Sequence, residues 1–242
     1  MRTVIWFIYF FGSLLFLIPS SRKVARLKKE QRFDEADKLV TEKVQAWANK
    51  LLKLAGVEIT VTGKENLPKD NTACVFVANH QGNYDIPTVL TSLPKPYGLL
   101  AKKEISKIPM ISSWMKHMNC IFVDRSDAKS SMRSLNEGCN LVKNGNSLTI
   151  FPEGTRSKTG EIGEFKGGSF RIATKAKAPI VPIRIEGTRD IMENNGNFMK
   201  PGKVEFHILP MVETKNLTKE EIKVLPETVR EIIVQDRLKS KK

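Results

Sequence analysis

The chain has 242 residues, 40 % of them hydrophobic and 27 % charged, with 15 glycines and 12 prolines; this excludes disordered, collagen-like and low-complexity classes and suits one sizeable α/β domain with an appendage. Forty Lys and Arg against 26 Asp and Glu give a formal charge of +14, which favours an anionic partner: nucleic acid, a phospholipid surface or an acidic protein. Cys74, Cys120 and Cys139 are far apart and form no CxxC pair, so they read as reduced, buried thiols, with neither a disulfide framework nor a zinc site.

The first element is apolar. VIWFIYFFGSLLFLI, from Val4 to Ile18, carries no charge, follows Arg2, and precedes Pro19 and the basic cluster Arg22, Lys23, Arg26, Lys28 and Lys29. As a helix it reaches ~22 Å, short of the ~30 Å hydrocarbon layer, so a full span is marginal. A secretory signal has its basic residues before the apolar run, and here they follow it. By the positive-inside rule they hold the remaining chain at the cytoplasmic face of a cell membrane, whether the segment crosses the bilayer or enters one leaflet.

From Phe33 to Leu54 the apolar residues Phe33, Ala36, Val40, Val44, Trp47, Leu51 and Leu54 recur every three or four positions, which predicts an amphipathic helix. Its stripe could pack on a protein core or pair with the first segment at the bilayer surface, and Lys50 and Lys53 lean towards the surface. Residues 1–55 are therefore expected to form a two-helix membrane anchor, and residues 56–242 the α/β domain.

Ala55-Gly56 is a helix stop, and beyond it β-rich runs alternate with helical ones. The expected strands are Val57 to Thr62, Ala73 to Ala78, Gly98 to Ala101, Cys120 to Val123, Ser147 to Phe151, Ile180 to Ile185 and Lys203 to Leu209. Helices are expected near Ile86 to Ser92, Ile105 to His117, Ser130 to Lys143, Gly168 to Ala176 and Thr218 to Leu238, the last opened by a Thr218/Glu221 capping box. The alternation implies a mixed, largely parallel central sheet flanked by helices, with ligands at the C-terminal ends of its strands.

Chemistry gathers at those ends. His80 and Asp85 leave the strand that ends at Ala78; on a regular helix they would diverge by about 140°, so they can meet only through a turn, which Gly82-Asn83 can supply. The competing reading makes Asp85 an ordinary helix cap. After the strand ending at Phe151 comes Pro152-Glu-Gly-Thr-Arg-Ser157, a loop suited to an anion: Gly154 permits close backbone approach, Thr155 and Ser157 carry hydroxyls, and Arg156 can grip two phosphate oxygens. Lys102, Lys103 and Arg125 also follow strands. No GxSxG elbow is present, which argues against a serine hydrolase, and His117 and His207 lie at no metal-ligand spacing from carboxylates.

His80 with Asp85, Val123-Asp124-Arg125, FPEGTRS from Phe151 to Ser157, and Ile180-Val-Pro-Ile183 occur in the order and approximate spacing of the motifs of glycerolipid acyltransferases. The chain resembles that family, most of all its bacterial 1-acylglycerol-3-phosphate branch, over roughly Gly63 to Gly187. The resemblance implies transfer of a fatty acyl group from an acyl thioester to the sn-2 hydroxyl of lysophosphatidate, giving phosphatidic acid in phospholipid biosynthesis. It implies His80 as general base and Asp85 as its orienting partner. Lys102, Arg125 and Arg156 would hold the phosphate, with Lys103 inseparable from Lys102 in the sequence. Gly154 would shape the turn with Thr155 beside it, and Glu153 would lie near the glycerol or brace the loop. The implied partners are the membrane phospholipid surface, lysophosphatidate, and an acyl carrier protein or coenzyme A thioester as donor, with no cofactor, metal or nucleic acid. The alternatives are a sister enzyme acting on glycerol-3-phosphate or another lysophospholipid, and a non-catalytic peripheral membrane protein. The second EGTR, Glu186 to Arg189, follows a different strand and is read as coincidence.

Overall fold

A computed structural model describes residues 1–69 and 72–240. Among the described residues, seven strands form one sheet: β1 (Val57–Thr62), β2 (Val75–Ala78), β3 (Gly98–Lys102), β4 (Ile121–Val123), β5 (Leu148–Ile150), β6 (Ile180–Glu186) and β7 (Gly202–Ile208), in the order β1-β7-β6-β2-β5-β3-β4. β2 to β6 run parallel to one another, and β7 lies antiparallel to β6 with β1 parallel beside it. The expected mixed, largely parallel α/β sheet is present. Its five parallel strands end on one edge, which brings the segments after Ala78, Lys102, Val123, Ile150 and Glu186 together.

The pleat sends alternate side chains to opposite faces. Val75 and Val77 of β2, with Leu148 and Ile150 of β5, pack under α6 (Ala128–Lys143), α7 (Gly167–Ala176) and α8 (Lys219–Ser240). Phe76 and Ala78 face the other layer, formed by α3 (Phe33–Ala55), α4 (Asp85–Ser92) and α5 (Pro109–His117). The capping box at α8 is formed: the Thr218 amide donates to Glu221 at 2.7 Å and the Glu221 amide to the Thr218 hydroxyl at 3.2 Å. α5 starts four residues later than expected, because Pro109 takes its first turn and a short 3-10 turn holds Lys103–Lys107.

The N-terminal region differs from the expected two-helix anchor. It contains three helices, α1 (Arg2–Phe16), α2 (Ile18–Lys29) and α3, because Pro19 falls within the first turn of α2, where its missing N–H costs no bond, and the helix runs on through the basic cluster. The α3 stripe packs inward from Ala36 onward, with Ala36, Val40 and Val44 against α2 and α5, while Phe33 at its start is exposed; the neighbouring Leu52 and Ala55 pack against the sheet. The outward apolar surface belongs to α1: Val4, Ile5, Ile8, Phe11, Leu15 and Phe16 are exposed, while Trp6 donates to the Leu51 carbonyl at 3.0 Å. Among the described residues no single helix is long and apolar enough to cross a membrane; α1 and α2, bent by 42°, satisfy length and composition only together. Cys74, Cys120 and Cys139 are free and buried, and burial pushes the Cys74 and Cys120 thiols up to about 12.

Candidate active site

His80 lies two residues beyond the end of β2, the central strand of the seven-stranded sheet. A turn at Gly82 to Asp85, closed by the Asp85 amide on the Gly82 carbonyl at 3.2 Å, brings the carboxylate back to the ring. His80 Nδ1 and Asp85 Oδ2 are 2.6 Å apart. The same oxygen accepts the amides of Gln81 at 2.6 Å and Gly82 at 2.9 Å, so it is an acceptor throughout and Nδ1 is the donor. That fixes the tautomer of the neutral ring and leaves Nε2 as the basic nitrogen. Asp85 occupies the first turn of α4, but its partners lie upstream and on Thr188, which sets aside the helix-cap reading.

Asp85 is wholly buried and the His80 side chain only partly. The imidazole stacks on Phe151, ring centroids 4.4 Å apart, which steadies its plane without engaging Nε2. Glu153 is buried and accepts the His80 amide at 2.7 Å and the Gly163 amide at 3.0 Å. Its carboxylate therefore ties the histidine backbone to the following loop, and Glu153 is absent from the cavity wall. Burial pushes its carboxyl above the ordinary range, opposed by those two amides.

A cavity of about 660 Å³ opens between the sheet and α1, α3, α4 and α5. His80, Lys102, Arg125, Gly154, Thr155 and Arg156 line it, together with an apolar wall that includes Trp6, Phe10, Leu90, Leu99, Trp114 and Met115. The strand ends have delivered one base, three cations and a volume suited to a hydrocarbon chain into one space. Lys102 and Lys103 separate here: Lys102 faces the cavity, and Lys103 pairs with Asp124 at 2.9 Å. Arg125 donates to the Gly154 carbonyl. Gly154 has φ +74°, a left-handed turn that favours glycine and lets the loop reverse beside the cavity. Arg156 meets Glu193 at 3.1 Å. Ser157 differs from expectation: its hydroxyl donates to the Glu161 carbonyl at 2.7 Å and accepts the Gly160 amide at 2.9 Å, so it serves the loop. Among the described residues no group of three or more His, Cys, Asp or Glu side chains could hold a metal ion.

The acyltransferase family model matches residues 58–186, more than half of the chain. The chain belongs to the acyltransferase family. A 1-acyl-sn-glycerol-3-phosphate acyltransferase of Saccharomyces cerevisiae is 35 % identical over 189 residues, 77 % of this chain and 61 % of the relative. One from Borreliella burgdorferi is 31 % identical over 184 residues, 76 % of this chain and 73 % of the relative. A chloroplastic one from Brassica napus is 46 % identical over 132 residues, and this match spans 54 % of the chain but only 38 % of the relative. The crystal structure of the 1-acyl-sn-glycerophosphate acyltransferase PlsC from Thermotoga maritima superposes with a TM-score of 0.81 at 28 % identity, covering 99 % of this chain and 95 % of that one.

One segment of the site was not foreseen from the sequence. Glu186 to Arg189 lies at the end of β6, beside His80, and its role there corrects the reading of coincidence: the Thr188 hydroxyl donates to Asp85 Oδ1, and Arg189 donates to the Ser157 and Lys158 carbonyls. The signal was available, since the segment follows a buried strand as the first EGTR does. What the letters hide is that β6 and β5 flank β2 on either side.

Proposed function

We propose that this chain transfers a fatty acyl group from an acyl thioester to the sn-2 hydroxyl of 1-acylglycerol-3-phosphate, forming phosphatidic acid. The observation that carries the reading is a histidine-carboxylate pair opening, through Nε2, into a cavity that is apolar over most of its wall and bears Lys102, Arg125 and Arg156. The names of the relatives support the choice of acceptor.

Nε2 of His80 takes the hydroxyl proton as the oxygen attacks the thioester carbonyl. The Asp85 charge stabilises the imidazolium, the tetrahedral adduct collapses with cleavage of the C–S bond, and the proton passes to the departing thiolate. Nucleophile and leaving group are both substrate atoms, so no covalent enzyme intermediate is needed. General-base assistance contributes about 10²- to 10⁴-fold, and the remainder falls to orientation of the bound acceptor. Arg156, Arg125 and Lys102 hold the phosphate; on binding, it takes Arg156 from Glu193. The exposed face of α1 sinks into one leaflet and the basic face of α2 meets anionic headgroups, so the cavity receives its lipid from the bilayer.

The test is thiol release from an acyl thioester by the purified protein. Release should require lysophosphatidate, with one phosphatidate formed per thiol. Equal rates with glycerol-3-phosphate or with lysophosphatidylcholine would overturn the choice of acceptor, and release without any acceptor would overturn transfer.

A further inference from the structure

We propose that Thr188 is a positioning residue for acyl transfer, fixing the second oxygen of Asp85 so that the first stays on the His80 ring. The inference rests on the base assignment above and goes beyond it. The Asp85 carboxylate has two oxygens with unequal duties. Oδ2 takes the imidazole and two backbone amides, while Oδ1 takes the Thr188 hydroxyl. Without the hydroxyl, rotation about the carboxylate axis is opposed from one side only, and Oδ1 is left as a buried acceptor with nothing to accept. Thr188 is itself fully buried and opens the short 3-10 turn that follows β6, whereas the dyad follows β2, so the lock is tertiary.

The turn that aims it is specific. Gly187 has φ +91°, and a Cβ there would stand 2.3 Å from the Lys203 carbonyl oxygen, so only glycine lets β6 reverse this tightly against β7. Immediately after it, Arg189 clamps the carbonyls of Ser157 and Lys158, and Glu193 accepts the Asn83 amide at 2.7 Å and meets Arg156. One short stretch thus touches both the dyad and the loop that carries Arg156, and Thr188 is its contact with the dyad.

The experiment compares Thr188→Val and Thr188→Ser with the wild type and with His80→Ala, in the thiol-release assay with lysophosphatidate. The folded fraction of each is measured by circular dichroism and kcat is expressed per folded molecule. Valine keeps the shape and removes the hydroxyl, so kcat should fall about ten- to hundred-fold, as expected when a reacting group is slightly misplaced. The KM for lysophosphatidate should stay within about threefold, since no phosphate contact is lost. Serine restores the hydroxyl and should return kcat to within about threefold of wild type. Wild-type kcat in Thr188→Val, or an equal loss in Thr188→Ser, would overturn the positioning role while leaving the base assignment standing. Near-normal turnover in His80→Ala would instead overturn the base assignment itself.

Discussion

The two faces of the sheet are built from the same strands and serve opposite ends. Under α6, α7 and α8 the alternate residues Val75, Val77, Leu148, Ile150 and Ile180 form a closed apolar layer, with Val229 and Ile233 of α8 fully buried in it. On the other face the helices stand off, and the space between them is the cavity that reaches His80. The difference teaches that stability and chemistry are separable here: one layer is filled with side chains, and its partner leaves room for a lipid. Substitutions on the two faces should therefore fail in different ways.

The sharpest break of that comparison lies on the open face. Asp85→Asn removes the charge that stabilises the imidazolium and disturbs the tautomer, so kcat should fall about 10²- to 10⁴-fold with the fold retained, as read by steady-state kinetics and circular dichroism. Its counterpart on the closed face is Ile233→Ala, which should cost about 2–5 kcal/mol in denaturant unfolding while kcat per folded molecule is unchanged. A loss of kcat there would blur the distinction. Arg156→Ala should raise the KM for lysophosphatidate about 10- to 100-fold, the worth of a charge-assisted bond to phosphate, with a smaller change in kcat. At the outer edge of the open face, Ile8→Lys should weaken flotation with anionic phospholipid vesicles about tenfold or more, since it removes one buried aliphatic side chain from the lipid contact.

The smallest effect concerns Glu153, the brace between the two motifs. Burial raises its carboxyl above the ordinary glutamate value, so the folded state binds the proton more tightly than the unfolded chain. Its contribution to stability therefore falls as pH rises through the window between those two values. Glu153→Gln does not titrate there. The Tm difference, wild type minus variant, should shrink as pH is raised above the ordinary glutamate value, and a difference that grows with pH would mean that the two amides outweigh burial.

Much of this was legible in the sequence because the local signals were strong. β1 matches its expected span because alternation is regular from Val57 to Thr62, and the turn at Gly82 had to exist for His80 and Asp85 to meet. The helix count of the N-terminal region was hidden by Pro19, which punctuates a sequence but can begin a helix. Periodicity showed that α3 has an apolar stripe but could not say that protein, rather than lipid, covers it. Lys102 and Lys103 are equivalent as letters; only the strand end turns one into the cavity and the other to Asp124. The part played by Thr188 depends on β6 lying next to β2, a tertiary fact that no local pattern carries.

The central claim is that the imidazole of His80 removes the acceptor's proton. The most direct test is the kcat of folded His80→Ala with an acyl thioester and saturating lysophosphatidate. A fall of at least about 10²-fold with unchanged circular dichroism is the expected result, and turnover close to that of the wild type would contradict it.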